Sequence, residues 1–256
     1  MNLSGMCYQL PSAQSPLNDS SYSPNVFFNI DSGQLRLFNQ PVGLHIYVPD
    51  DYNNNLKRYP VLYLLNGDSA FNYNLESDWY IDETMDSLLK QPKIKSSLVV
   101  AINNLPYVDN EEDSIARFLK EDVKAFIDSR YRTATGQSIL LGTGKYGGLA
   151  LITVLKFPSV FSRAGIFSPE NGLLELLNKN NLNGKGFSGM LFFFYPDSDS
   201  VDRIADRLAA ESSALLYTTN HQNPRRRKSA LGGWYAEFYK WITGNGFNYI
   251  IRPPRR

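Results

Sequence analysis

Residues 138–149, Ser-Ile-Leu-Leu-Gly-Thr-Gly-Lys-Tyr-Gly-Gly-Leu, constrain the fold of this chain more than any other stretch. An apolar run halts at a cluster of small residues, and a helix-compatible run from Gly148 to Lys156 follows at once. Strand, tight turn and helix are therefore expected in immediate succession, with glycine supplying the backbone conformations that such a turn demands.

The segments on either side alternate in kind. Short β-branched or aromatic runs at 25–30, 43–49, 59–65 and 97–102 read as strands, and 59–65 is apolar enough to be a central strand covered on both faces. Between them, 78–89 and 114–131 carry apolar residues at helical spacing. Beyond the turn, strands are expected at 163–168, 190–195, 214–219 and 247–251, with helices at 172–178, 197–212 and 235–242. Such alternation predicts an α/β fold with a mostly parallel sheet and helices on both faces.

A chain of 256 residues can bury a core of this kind as a single domain without disulfide staples, and Cys7 is the only cysteine. The expected division is a flexible arm at 1–24, one α/β domain at 25–251 and a loose basic tail at 252–256. With 26 basic and 25 acidic side chains the net charge is +1, which argues against a general affinity for nucleic acid. One cysteine and two histidines, His45 and His221, give little material for a metal site, and no cofactor motif is present. His45 falls inside a strand, where a structural role is expected. Neither a signal peptide nor an apolar run of spanning length is visible, so a soluble, cytoplasmic protein is expected.

Several segments together resemble the putative-esterase family of α/β-hydrolases, the group of esterase D, the enterobactin-type siderophore esterases and the mycolyltransferases. They are Leu44-His-Ile-Tyr-Val-Pro49, Tyr59-Pro-Val-Leu-Tyr-Leu-Leu-Asn-Gly67, Val99-Val-Ala-Ile-Asn103, Phe126-Ile-Asp-Ser-Arg-Tyr-Arg-Thr133, the turn with Gly147-Gly-Leu149, Lys156-Phe-Pro-Ser-Val-Phe161 and Phe167-Ser-Pro169. The matching pieces span about residues 40–170, and the final third resembles the family only in its element order. The resemblance implies an α/β-hydrolase fold in which the 138–149 junction is the nucleophile elbow, G-x-S-x-G.

Here the serine of that motif is missing. Taking Gly147 as the last glycine puts Lys145 at the nucleophile position, whereas starting from Gly142 puts Gly144 there. Family chemistry needs Ser, His and an acid, plus an oxyanion hole. The resemblance would put hole-forming backbone at Tyr146 and at Asp68 and Ser69, and the acid at Asp197 or Asp199, either of which could instead serve as a helix cap. His221 is the remaining histidine candidate, since Leu231-Gly-Gly-Trp-Tyr-Ala-Glu237, where the family places it, has none. Lys145 as a nucleophile would end in an amide that water does not readily cleave, so the expectation is a charge filling a disused pocket, with an Asp as its natural partner.

The expected function is therefore that of a catalytically degenerate esterase relative that binds a small molecule or a protein in a residual pocket, or scaffolds. The alternative is an active ester hydrolase or acyltransferase with a non-standard site. A basic loop, Arg225, Arg226, Arg227 and Lys228, would either dock an anion or remain solvated.

Overall fold

The computed structural model describes residues 26–27, 35–65, 96–170, 172–195, 199–220 and 238. Among them are ten strands: β1 (Val26–Phe27), β2 (Arg36–Leu37), β3 (Gln40–Pro41), β4 (Gly43–Tyr47), β5 (Tyr59–Leu65), β6 (Leu98–Asn103), β7 (Thr133–Thr143), β8 (Phe161–Phe167), β9 (Met190–Tyr195) and β10 (Leu215–Asn220). Five α-helices accompany them: α1 (Glu112–Phe118), α2 (Lys124–Arg130), α3 (Lys145–Lys156), α4 (Leu173–Lys179) and α5 (Asp199–Glu211). The expected strands at 43–49, 59–65, 97–102, 163–168, 190–195 and 214–219 are present with slightly shifted ends. The expected helix at 78–89, the strand at 247–251, the arm at 1–24 and the tail at 252–256 lie outside the described residues.

Eight strands form one sheet in the order β1-β4-β6-β5-β7-β8-β9-β10, and β2 and β3 form a separate hairpin. All pairings from β6 to β10 are parallel, while β1 and β4 run antiparallel at one edge. The mostly parallel sheet read from alternation is thus present, and strands rich in Val, Ile, Leu and Phe can occupy it because both faces are buried.

Two rows of aligned residues make this concrete. Val100, Tyr63, Leu140, Ala164 and Leu191 stand side by side across five strands and belong to one core cluster. Helices α1, α3, α4 and α5 pack one against the next on this face, contributing Ile115, Ile152, Leu177 and Ile204 to the same cluster. One residue further along each strand, His45, Ala101, Leu64, Leu141, Gly165 and Phe192 form the second row. Their side chains point to the opposite face by the two-residue period of a strand. There Phe238, helical and fully buried, packs edge-on against Phe167 and Phe192. The expected aromatic helix at 235–242 is represented among the described residues by Phe238 alone.

Two elements differ from their sequence reading. The helix expected over 114–131 is broken into α1 and α2 by a π-helical turn, Leu119–Val123, whose Leu119 and Val123 stay buried. The helix after the turn opens at Lys145, not Gly148, so the glycine pair Gly147-Gly148 lies within its first turn. A side chain at Gly148 would sit 3.2 Å from Leu176 and 3.3 Å from Leu173 of α4. Helix packing, and not a backbone break, explains that glycine.

Candidate active-site cleft

Strand β7 delivers the chain to the C-terminal edge of the sheet, where open α/β sheets carry their ligand sites. Thr143 ends the strand, Lys145 opens α3, and Gly144 makes the corner between them with φ 55° and ψ −128°. A residue with a Cβ adopts such a backbone only under strain. Gly144 is held there by its own N–H, which donates to the Phe167 carbonyl at 3.0 Å, and by its carbonyl, which accepts from the Gly147 N–H at 3.0 Å. Two residues earlier, a Cβ on Gly142 would stand 2.1 Å from the Tyr146 carbonyl oxygen. Close approach of positions 142 and 146 is what lets the chain reverse this sharply.

The nucleophile of an elbow sits on the strained residue between strand and helix. Of the two frames open in the sequence, the backbone therefore favours the one starting from Gly142, with Gly144 at the corner. Lys145 is one residue past it, and the N–H that follows the corner is that of Lys145, where the other frame had given Tyr146 this role. A Cβ built on Gly144 would have Glu170 Oε1 as its nearest neighbour at 3.7 Å, so the corner has room for a small side chain.

Around this corner opens a cleft of about 530 Å³. Its walls come from the segment between β6 and α1 (Tyr107, Asp109, Asn110), from Glu112 at the start of α1, from the corner and the start of α3, from Glu170 after β8, and from α4 (Leu173, Glu175, Leu176, Lys179). Lys145 is exposed, and its ammonium group lies 4.9 Å from the Tyr107 ring centre and 5.6 Å from that of Tyr146. Among the described residues no carboxylate pairs with it, and its described neighbours are these two aromatic rings. Those rings meet edge to face at 5.6 Å. Tyr146 is buried, and its O–H donates to the Leu105 carbonyl at 2.6 Å, which fixes the ring behind Tyr107.

Glu112 is 3% exposed and anchors the floor of the cleft. Its carboxylate faces the Tyr107 O–H at 3.5 Å, accepts the Asn110 N–H at 3.3 Å and lies 3.6 Å from the Lys179 ammonium. Lys179 also donates to Asn110 Oδ1. Burial, with help from Glu112, Asp109 and Glu170, pushes the Tyr107 phenol up to about 12, so it stays a neutral donor at ordinary pH. No group of three potential metal ligands occurs among the described residues.

Asp199 is the first residue of α5, while Asp197, Asp68, Ser69, His221 and Arg225 to Lys228 lie outside the described residues. His45 stands in the second row of the sheet, partly buried, and burial lowers its pKa to about 4. Tyr107, Glu112, Glu170 and Lys179 were not anticipated. Nothing in their spacing marks them, because they come from three separate segments that meet only in the fold.

A sequence profile described as Putative esterase matches residues 36–175, more than half of the chain. The chain belongs to this esterase family. A search of curated proteins finds no matching relative. Among solved structures, the enterobactin and salmochelin hydrolase IroE aligns with a TM-score of 0.61 at 16% identity, covering 88% of this chain and 98% of that one. The siderophore hydrolase EstB from Aspergillus nidulans gives 0.60 at 13% identity, over 90% and 99% of the two chains. A ferulic acid esterase from Anaeromyces mucronatus gives 0.59 at 16% identity, over 90% and 94%. These likenesses establish the α/β-hydrolase fold for this esterase-family chain. Among its described residues, no helix is long and apolar enough to cross a membrane.

Proposed function

We propose that this esterase-family protein is a catalytically degenerate member that keeps the family's cleft as a binding site. The observation that carries the reading is the corner of the turn: the strained backbone position is occupied by Gly144, which has no side chain to attack a carbonyl. Lys145 does not replace it. Its ammonium group lies over the Tyr107 ring, and an amine that attacked an ester would be left as an amide that water does not readily cleave. The ligand is a small molecule lodged in the 530 Å³ cleft, a volume ordinary for such sites.

The opposing reading, an ester hydrolase with a non-standard arrangement, draws its support from the family and from neighbours named as siderophore hydrolases and ferulic acid esterases. Covalent labelling separates the two. A fluorophosphonate probe followed by intact-mass measurement should leave the protein unmodified. Rapid, stoichiometric labelling of one serine or threonine would sink the degenerate reading.

A further inference from the structure

Among the described residues, the charges of the cleft do not balance. Four carboxylates, Asp109, Glu112, Glu170 and Glu175, line it against two ammonium groups, Lys145 and Lys179, in a chain whose net charge is +1. Both cations are already engaged, Lys179 by Glu112 and Asn110, and Lys145 by the rings of Tyr107 and Tyr146. Glu112 is likewise satisfied. Asp109, Glu170 and Glu175 are exposed and have no ion-pair partner among the described residues.

A second observation is independent of these carboxylates. An ammonium group occupies the aromatic wall of the cleft, and it belongs to the chain itself. The Tyr107 ring, backed edge-on by the buried Tyr146, holds Lys145 Nζ at a distance where the negative face of the ring attracts a cation. We propose that the cleft is a site for an organic ammonium ligand, whose place on Tyr107 the Lys145 side chain holds until the ligand displaces it. The inference rests on the reading of the cleft as a binding site and adds the class of ligand.

Physical chemistry favours the exchange. A primary ammonium on a flexible four-carbon stem is strongly hydrated, so Lys145, already exposed, regains water when it swings out. A quaternary ammonium is weakly hydrated and loses less on entering. Once Lys145 leaves, the carboxylates of Glu170 and Glu175 face the incoming charge, while Leu173 and Leu176 offer apolar surface to the rest of the ligand. Anions of the same size meet the unpaired carboxylates and are excluded.

Titration calorimetry of the full chain with benzyltrimethylammonium, and with phenylacetate at matched ionic strength, tests this directly. The cation should bind and phenylacetate should not. Lys145→Ala, which removes the internal competitor at an exposed position, should tighten the cation about fivefold, whereas Tyr107→Leu should weaken it by a similar factor. Glu170→Gln with Glu175→Gln, both on the surface, should also weaken it and guards against a folding defect in the tyrosine variant. Cation binding that Lys145→Ala leaves unchanged or weakens would overturn the proposal. Binding of phenylacetate in preference to the cation, or binding of neither, would overturn it too while leaving intact the wider reading of the cleft as a small-molecule site.

Discussion

At Gly142 and Gly144 two glycines do different work, and substitution separates them. Gly144 needs its backbone angles but has space, with the nearest atom to an added Cβ at 3.7 Å. Gly144→Ala should therefore cost about 1–3 kcal/mol, the strain of the backbone alone. Gly142 lacks the space, since its Cβ would meet backbone at 2.1 Å and backbone cannot step aside cheaply. Gly142→Ala should cost at least about 3 kcal/mol or prevent folding. Urea denaturation of the two variants checks the ranking, and an equal or reversed order would show that the turn is not built as described. This division of labour explains why the sequence left two frames open. Gly142 and Gly147 can each form one end of a G-x-S-x-G frame, and only φ and ψ at residue 144 favour one frame over the other. The cleft was less legible still: Glu112 looks like any first-turn acid of a helix, and its burial follows from α4 bringing Lys179 across to it.

At the scale of elements, most of the fold was readable. Apolar runs such as 59–65 and 190–195 became central strands, because a strand buried on both faces has no polar period to hide. Less readable were the short β2–β3 hairpin, which contributes two residues per strand, and the π-turn at Leu119–Val123, which leaves the apolar stripe of its helix nearly unchanged. Gly165 illustrates a residue whose meaning appears only in the sheet. A Cβ there would lie 2.9 Å from the ring of Phe238, so the missing side chain is a seat for that aromatic. Phe238→Ala should destabilise the protein by about 3–5 kcal/mol, as expected for emptying an aromatic site in a packed core. Thermal and urea unfolding measure it. A loss below about 1 kcal/mol would mean that Phe238 is not part of the sheet's second face.

For the whole molecule, His45 links stability to pH. Burial lowers its pKa from 6.5 to about 4, so the folded state holds it neutral while the unfolded chain protonates it first. Between about pH 6.5 and 4 the unfolded state binds more protons, and stability must fall as the pH drops through that window. The contribution approaches about 3 kcal/mol at the acidic end. His45→Gln should flatten this part of the profile, and an unchanged slope in urea titrations at pH 6.5, 5.5 and 4.5 would contradict the burial argument.

To this scale also belongs the proposal that an esterase-family fold surrounds a corner with no nucleophile. Loss of a triad serine removes most of the rate, leaving what binding and backbone donors supply. The most direct measurement is steady-state hydrolysis of p-nitrophenyl acetate and butyrate by the 256-residue chain. Turnover should stay below about 10⁻³ s⁻¹, some four orders of magnitude under an ordinary enzyme, and should be unaffected by Lys145→Ala. Saturable turnover of about 1 s⁻¹ or faster, abolished by a single substitution in the cleft, would contradict the account.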